Sequence, residues 1–273
     1  MITVARSRAD LAQALDGLDG PVGLVPTMGA LHDGHRALIK RAREWSQSVV
    51  VSIFVNPLQF APTEDLARYP RSFDADVAMC TAEGVDVVWA PGVDDVYPGG
   101  PAQVRIDPGP VGSILEGVSR PTHFSGMLTV VAKLLNLVRP TVAYFGEKDY
   151  QQLVLIKRMA ADLELGVGIA GVPTVREPDG LALSSRNVYL SAEQRSRASA
   201  LSRALAAGRD AGGPAEKVLA AAWQVLREAG VEPDYLDLRG PELGDPPVHG
   251  PARLLVAAKF GSTRLIDNVA VEL

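Results

Sequence analysis

The sequence predicts an α/β protein, in which a Rossmann-like, doubly wound parallel sheet domain is followed by a smaller α+β C-terminal domain. Three observations lead to this prediction. Short apolar runs alternate with helical patterns from Val22 to Val172, as they do in parallel βαβ units. Polar residues recur directly after these runs, and ligands bind beyond the carboxyl ends of parallel strands. After Pro173 the alternation gives way to long helices and a closing hairpin.

The first elements are predicted from helix caps and from hydrophobic periodicity. Ser7 and Asp10 indicate a capped helix that ends near Leu15. The first strand is predicted at Val22 to Val25, and a helical pattern follows His35. One face of that helix is expected to carry Leu38, Ile39, Ala42 and Trp45.

The remaining elements of the sheet domain continue this alternation. Strands are predicted at Val49 to Val55, Val85 to Trp89, Thr141 to Phe145 and Val167 to Val172. Helices are predicted at Phe73 to Cys80, Met127 to Val138 and Gln151 to Leu163. The segment from Gly166 to Gly171 matches G-x-G-x-x-G, but its glycines lie within a strand pattern that follows a helix. We therefore interpret this segment as structural.

A domain boundary is predicted near residue 175, which gives domains of residues 1–175 and 176–273. Ser191 and Gln194 predict a capping box for a long helix rich in alanine and arginine. Pro214 opens a second helix that ends near Gly230. Apolar runs at residues 254–260 and 264–271 predict a hairpin.

The composition restricts the possible partners and location. The chain has 273 residues, 47% of them hydrophobic, which is enough to bury a full core. Its net charge of −5 and its scattered lysines and arginines argue against binding to nucleic acid. No apolar run is long enough to span a membrane. The single cysteine, Cys80, is expected in the core and fits a reducing cytoplasm, so we expect a cytoplasmic protein with small-molecule partners.

The stretch from Val25 to His35 is the centre of the predicted site. Its glycines allow close backbone approach, and the N-terminus of the following helix favours an anion. His32 and His35 are spaced to face one side of a helical turn, where their imidazoles can donate to phosphate. The stretch is not a P-loop, because His35-Arg36 stands where lysine and a hydroxyl residue are required. The alternative is that the two histidines only cap a helix.

Further polar residues follow two other predicted strands. Asn56 and Gln59 come after the second strand, and residues 146–149 with Gln152 come after the fourth. In the second domain, the segment from Ser184 to Arg186 offers hydroxyls and a fixed positive charge to phosphates. The alternative for this last segment is a solvated linker.

Four blocks, read together, carry a family resemblance. They are Pro26–His35, Ser52–Phe60, Gly146–Gln152 and Leu183–Asn187. The chain resembles the pantothenate synthetase family of the H-x-G-H nucleotidyltransferase superfamily, from about residue 22 to 190 and more loosely beyond, including residues 254–258 and 267–268. The resemblance implies ATP-dependent condensation of (R)-pantoate with β-alanine through a pantoyl adenylate, with release of AMP and pyrophosphate. It also implies Mg²⁺ and a homodimer.

The resemblance further implies residue roles. His35 would donate a proton beside the phosphates with help from His32, and Lys148 and Arg186 would neutralise phosphate charge. The implied ATP-binding residues are Pro26, Thr27, Met28, Gly29, Ala30, Leu31, His32, Asp33, Gly34, His35, Gly146, Glu147, Lys148, Asp149, Val175, Leu183, Ser184, Ser185 and Arg186. Those implied for pantoate or β-alanine are Gln59, Gln152, Met28, Asn56 and His123. Asp149 is the implied metal ligand.

The same resemblance assigns ATP and pantoate binding to the first domain and closure over the ATP site to the second. One departure from the family pattern lies in the lid-like loop near Phe60 to Asp65, where Ala61-Pro62-Thr63 replaces a glycine-containing segment. Two other classes of protein are alternatives. One is a nucleotidyltransferase of the same superfamily that acts on another small acceptor, and the other is a non-catalytic nucleotide sensor.

Overall fold

A computed structural model describes residues 2–60 and 69–273. The loop segment Ala61-Pro62-Thr63, named above for its departure from the family pattern, lies outside these residues. The chain forms two compact units. The first comprises Met1–Glu147 and Gln151–Pro173, and the second comprises Lys148–Tyr150 and Thr174–Leu273.

The first unit contains a parallel sheet, as predicted. Its described strands are β1 (Thr3–Ala5), β2 (Val22–Thr27), β3 (Ser48–Ile53), β4 (Val87–Trp89), β5 (Val142–Gly146) and β6 (Gly168–Val172). They lie in the order β1-β4-β3-β2-β5-β6, and every pairing is parallel. The chain runs outward from β2 on one side and returns to β5 on the other, so the topological switch point lies between β2 and β5. Strand β1 was not predicted, because three residues are too few to show a periodicity.

The predicted helices of this unit are confirmed, and two single-turn helices were not predicted. The described helices are α1 (Arg8–Asp16), α2 (Asp33–Trp45), α3 (Phe73–Ala82), α4 (Val93–Val96), α5 (Glu116–Ser119), α6 (His123–Val138) and α7 (Tyr150–Asp162). The capping box of Ser7 and Asp10 is present at the start of α1. Trp45, the last residue of the predicted face, is 67% exposed and packs under the guanidinium of Arg41 at the end of α2.

The sheet is buried on both faces, which explains its valine-rich strands. Val50 packs into a core cluster with residues of α1, α6 and α7, whereas Val49 and Val51 pack into the cluster on the opposite face with residues of α2 and α3. Cys80 is a buried free thiol in the second of these clusters, as predicted. Burial raises the pKa of Cys80 to about 12, so this thiol stays protonated at neutral pH.

The second unit is an α+β arrangement. Its helices are α8 (Ala192–Ala198), α9 (Ala200–Ala211) and α10 (Ala215–Glu228), and its strands are β7 (Pro233–Arg239), β8 (Pro251–Phe260) and β9 (Thr263–Glu272). The strands form an antiparallel sheet in the order β7-β8-β9, which confirms the predicted hairpin and adds β7. The predicted long helix is divided at Ser199, whose hydroxyl donates to the carbonyl of Ser196. Within the described ranges, no helix combines the length and the apolar character needed to cross a membrane.

Candidate active site

The turn after β2 is held by a carboxylate from α3. The buried side chain of Asp76 accepts hydrogen bonds from the backbone N–H of Ala30 at 3.0 Å and of Leu31 at 2.8 Å. It also accepts one from the hydroxyl of Ser72 at 3.0 Å. Gly29 has a φ of +84°, and a Cβ on it would lie 3.1 Å from Asp76 Oδ2. The turn at the switch point therefore depends on a glycine and a distant aspartate.

His32 and His35 cap the N-terminus of α2. Nδ1 of His32 accepts from the N–H of Gly34 at 3.1 Å, and Nδ1 of His35 accepts from the N–H of His32 at 3.2 Å. The ring centroids are 4.2 Å apart. A ring nitrogen that accepts a hydrogen bond carries no proton, so each neutral imidazole has its N–H at Nε2. Both histidines thus cap the helix, and the cap uses Nδ1 of each ring.

The loop after β3 is organised around Asn56, which is fully buried. Its amide nitrogen donates to Gln59 Oε1 at 3.0 Å and to the carbonyl of Gly126 at 3.1 Å. Its Oδ1 accepts from the N–H of Leu58 at 3.3 Å and from the hydroxyl of Tyr97 at 2.8 Å. These four bonds use the full hydrogen-bonding capacity of the carboxamide. Asn56 therefore fixes the orientation of the Gln59 carboxamide, because its amide nitrogen binds Oε1 of Gln59.

The main chain of Gln59 is held as well. Its carbonyl oxygen lies 3.0 Å from His123 Nδ1 and accepts from Arg120 Nη2 at 3.1 Å. Because a carbonyl oxygen can only accept, the ring proton of His123 is on Nδ1. Arg120 Nη1 lies 3.4 Å from Nε2 of the same ring. Both the side chain and the backbone of Gln59 are thus fixed by neighbouring residues.

Two adjacent glutamines begin α7, and they have different surroundings. Gln151 is buried, and its Oε1 accepts from the N–H of Glu116 at 3.0 Å. Its amide nitrogen donates to the carbonyls of Val111 at 2.7 Å and Ile114 at 2.8 Å. Gln151 therefore anchors the chain between α4 and α6. The next residue, Gln152, is half-buried.

The predicted residues of the first unit follow neighbouring strands. Because β3 and β5 both pair with β2 in parallel, the carboxyl ends of the three strands share one edge of the sheet. The residues that follow at this edge are Met28, His32 and His35 after β2, Asn56 and Gln59 after β3, and Glu147 after Gly146, the last residue of β5.

Two segments of the second unit carry further predicted residues, namely Lys148, Asp149, Val175 and Leu183 to Arg186. Nζ of Lys148 lies 3.7 Å from Oδ1 of Asp149. In the other segment the N–H of Leu183 donates to the carbonyl of Val175 at 3.0 Å. The hydroxyl of Ser184 then accepts from the N–H of Arg186 at 3.2 Å and caps the 3-10 turn Ser185–Tyr189.

The ion pair of Arg195 with Glu177 braces this 3-10 turn through Asn187. Arg195 on α8 donates to the two carboxylate oxygens of Glu177 at 3.2 Å and 2.6 Å. Asn187 within the turn donates to the same carboxylate at 2.8 Å and to the carbonyl of Ala182 at 3.1 Å. The hydrogen bonds from Arg195 lower the pKa of the Glu177 carboxyl.

Several of these supporting residues were not found from the sequence. Asp76 contacts a backbone 46 residues away, and Tyr97 contacts a side chain 41 residues away. The only local signal for Asp76 was a carboxylate placed among the apolar positions of α3. Tyr97 gave no signal, because a tyrosine beside a Pro-Gly-Gly segment is typical of any loop.

The chain is similar to known proteins over nearly its whole length. A family model described as pantoate-beta-alanine ligase matches residues 2–270. The pantothenate synthetase of Nocardia farcinica is 60% identical over 265 residues, which cover 96% of this chain and 83% of that protein. A solved pantothenate synthetase from Thermus thermophilus has a TM-score of 0.92 and 48% identity, with 98% of this chain and 99% of that chain covered. A pantoate-beta-alanine ligase from Francisella tularensis, solved as a complex with beta-gamma ATP and β-alanine, has a TM-score of 0.83 and 37% identity, with 98% and 97% covered.

A parallel sheet with a histidine-capped helix at its switch point is the architecture of an α/β protein whose ligand lies beyond the carboxyl ends of the strands. The chain belongs to the pantoate-β-alanine ligase family. Its reaction is the ATP-dependent formation of a carbon–nitrogen bond between pantoate and β-alanine, through a pantoyl adenylate and with release of AMP and pyrophosphate. The resemblance carried by the four sequence blocks is thereby confirmed.

Proposed function

We propose that His32, His35, Lys148 and Arg186 act in the first chemical step, in which AMP is transferred from ATP to the carboxylate of pantoate. A carboxylate oxygen bonds to the α-phosphorus, and the bond from the α-phosphorus to the bridging oxygen of pyrophosphate breaks. Negative charge then grows on pyrophosphate. The two Nε2–H groups donate to this charge, and the two cations neutralise it. The proposal is carried by the cap of α2, because the Nδ1 bonds put each ring proton on Nε2.

Backbone groups complete the proposed ATP contacts in the first unit. The segment from Pro26 to His35 contains the glycine turn and the N-terminus of α2, whose N–H groups and dipole suit an anion. The other proposed ATP contacts in this unit are Gly146 and Glu147. In the second unit they are Lys148, Asp149, Val175 and Leu183 to Arg186.

On the acid side, Gln59 and Gln152 bind pantoate through their carboxamides, which suit a carboxylate and two hydroxyls. Met28 supplies apolar surface. Asn56 and His123 act through Gln59, because Asn56 holds its side chain and His123 its carbonyl. In the second step the amine of β-alanine bonds to the acyl carbon beside Gln59. The bond from that carbon to the phosphate oxygen breaks, AMP leaves, and the nitrogen loses a proton.

Magnesium is part of the proposal, with Asp149 as its protein ligand. Among the residues that the structure describes, no group of three or more histidine, cysteine, aspartate and glutamate side chains could hold a metal ion. One carboxylate is nevertheless sufficient, because Mg²⁺ at nucleotides is usually held by one or two carboxylates together with phosphates and water. The Asp149 side chain is 49% exposed and lies beside Lys148, so both charges can meet the same phosphates.

Two further parts of the proposal concern the cellular compartment and the oligomeric state of the enzyme. We place the reaction in the cytoplasm, where ATP is available, and the buried reduced thiol of Cys80 is compatible with that compartment. We also propose a homodimer, for which the support is the family resemblance.

Exchange of labelled pyrophosphate into ATP tests the proposed order of steps. Adenylation is reversible while pyrophosphate is present, and it converts the carboxylate into a mixed anhydride that an amine can attack. Exchange is therefore expected to require pantoate and Mg²⁺ but not β-alanine. AMP is expected as a product only after β-alanine is added.

Other outcomes separate the alternatives. Exchange without pantoate, or only after β-alanine is added, would contradict the proposed order. A nucleotidyl group retained on an alcohol product would indicate a nucleotidyltransferase for another acceptor. ATP binding without turnover of pantoate and β-alanine would indicate a nucleotide sensor.

A further inference from the structure

A buried polar network lies on the hairpin of the second unit. Asp267 and Asn268 are consecutive on β9 and only 3% and 4% exposed, and Arg253 on β8 is 8% exposed. Burying a polar side chain without a hydrogen-bond partner costs free energy, so side chains this deeply buried are normally hydrogen-bonded. The partners of these residues therefore indicate what the network holds in place.

Asn268 holds the segment that contains Lys148. Its amide nitrogen donates to the backbone carbonyl of Lys148 at 2.8 Å, and its Oδ1 accepts from Arg253 Nε at 2.7 Å. The guanidinium of Arg253 lies 4.0 Å above the ring of Tyr150, and the Tyr150 hydroxyl donates to the carbonyl of Pro241 at 3.0 Å. The three residues from Lys148 to Tyr150 are thus attached at both ends.

Asp267 holds the other ATP segment of the same unit. Its carboxylate accepts two hydrogen bonds from the guanidinium of Arg176, at 2.6 Å and 2.9 Å. Arg176 also donates to the carbonyl of Gly180 at 3.1 Å and forms a backbone bridge with Ala182. This bidentate pair therefore fixes the chain directly before the turn of Ser184 to Arg186.

We propose that Asn268 is a positioning residue for Lys148, and that the Asp267-Asn268 pair sets the separation of Lys148 from the turn that carries Arg186. This inference rests on the proposed function, which gives both cations a role on the phosphates. Because the two attachments start from consecutive residues of one strand, the two segments cannot shift independently. Such control matters, since a misplacement of about 1 Å can slow a reaction by roughly a hundredfold.

The variant Asn268→Asp isolates the contact with Lys148. An aspartate keeps an oxygen for Arg253 Nε, but it replaces the donor that faces the Lys148 carbonyl with a second acceptor. Asn136→Asp is the matched control, because Asn136 donates to the backbone carbonyl of Ala132 at 2.8 Å at an exposed position of α6. We expect Asn268→Asp to slow pyrophosphate exchange about tenfold or more and the control to change it less than about twofold. The KM for pantoate is expected to stay within about twofold in both.

A double-mutant cycle separates positioning from a general loss of structure. If Asn268 acts through Lys148, Asn268→Asp should have almost no further effect on exchange in a Lys148→Met background. Equal effects in both backgrounds, or an unchanged rate in the single variant, would overturn the inference while leaving the role of Lys148 intact. An unchanged rate in Lys148→Met alone would instead overturn the proposed role of Lys148, and the inference with it. Rates are compared for protein shown to be folded by circular dichroism, and Asn268→Ser, too short to hold both partners, replaces Asn268→Asp if that variant does not fold.

Discussion

The two nitrogens of the His35 ring have different tasks. Nδ1 accepts the N–H of His32 and completes the cap of α2, whereas Nε2 is the proposed donor to pyrophosphate. A substitution can separate these tasks, because the side-chain oxygen of asparagine can take the place of Nδ1 but has no group at the distance of Nε2.

We therefore expect His35→Asn to lower kcat about a hundredfold or more, because one donor to developing negative charge is lost. The melting temperature should stay near that of the unaltered protein. His35→Ala should show the same kinetic loss together with a lower melting temperature, because a missing cap costs about 1 kcal/mol. Exchange kinetics and thermal unfolding measure the two effects. Near-normal turnover by His35→Asn would remove the ring from the proposed mechanism.

Tyr97 is expected to affect pantoate binding indirectly, because its hydroxyl binds Asn56 and Asn56 binds Gln59. Burial raises the pKa of Tyr97 to about 12, so its hydroxyl remains a donor to Asn56 at neutral pH. In Tyr97→Phe the fully buried Oδ1 of Asn56 loses this donor, which costs about 1–3 kcal/mol. The Asn56 carboxamide should then be less firmly oriented, and so should the Gln59 side chain to which it donates.

We expect Tyr97→Phe to raise the KM for pantoate about threefold to tenfold, with little change in the KM for ATP. Tyr144→Phe is the control, since this buried tyrosine of β5 has its hydroxyl 3.4 Å from Ser46, on the other face of the sheet. Steady-state kinetics with each substrate varied will measure the effect. An equal rise in both Michaelis constants would contradict a role through Gln59.

Among single residues, the sequence predicted candidate site residues that lie within a short motif. It missed residues that contact the motif from distant parts of the chain. His32, His35 and Gln59 stand in local patterns with a recognisable chemical purpose. Asp76 and Tyr97 are far from their partners in the chain, so their contacts arise only when α3 and the loop after α4 pack in place. Residue type did not separate Gln151, a buried anchor, from its half-buried neighbour Gln152.

Among the elements, the turn of Ser185–Tyr189 shows how a short segment is stabilised by charge. Glu177 accepts from both Arg195 and Asn187, and Arg195 lowers its pKa below the ordinary value of 4.5. A group whose pKa is lower in the folded state stabilises the protein fully above its ordinary pKa. This contribution is lost as the pH falls from about 4.5 through the lowered folded value.

We expect Glu177→Gln to reduce the free energy of unfolding at pH 7, and the difference from the unaltered protein to shrink as the pH falls below about 4.5. Both partners are partly exposed, so added salt should weaken the effect. Glu193→Gln, at an exposed position in the first turn of α8, is the control and should show no comparable dependence. Urea unfolding at a series of pH values will test this. A difference that stayed constant down to pH 3 would contradict it.

Elements with a long, regular apolar pattern were predicted, whereas strand β7 and three of the shortest elements were not. The helices α2, α6 and α10 and the hairpin of β8 and β9 repeat their apolar positions over 10 or more residues. Strand β1 and helices α4 and α5 have only three or four residues each. Their formation depends on neighbours, such as the pairing of β1 with β4, that no local pattern contains.

For the molecule as a whole, the order of strands explains why the candidate site begins after β2. Strand β2 lies beside both β3 and β5, so three loops meet at the edge where the topology reverses. Alternation of strands and helices was enough to predict the parallel sheet. It did not predict that residues 148–150 belong to the second unit, because that follows from contacts with Asn268, Arg253 and Pro241.

The histidine cap at this edge has a consequence for spectroscopy. The chain has four histidines, and their hydrogen bonds assign different tautomers to them. His32 and His35 are protonated at Nε2 and His123 at Nδ1, while His249 lies exposed near the start of β8. A ¹⁵N-labelled sample should therefore give two imidazoles of one tautomer, one of the other and one averaged signal. Loss of the helix cap would be visible as a change in ring nitrogen shifts, without any substrate present.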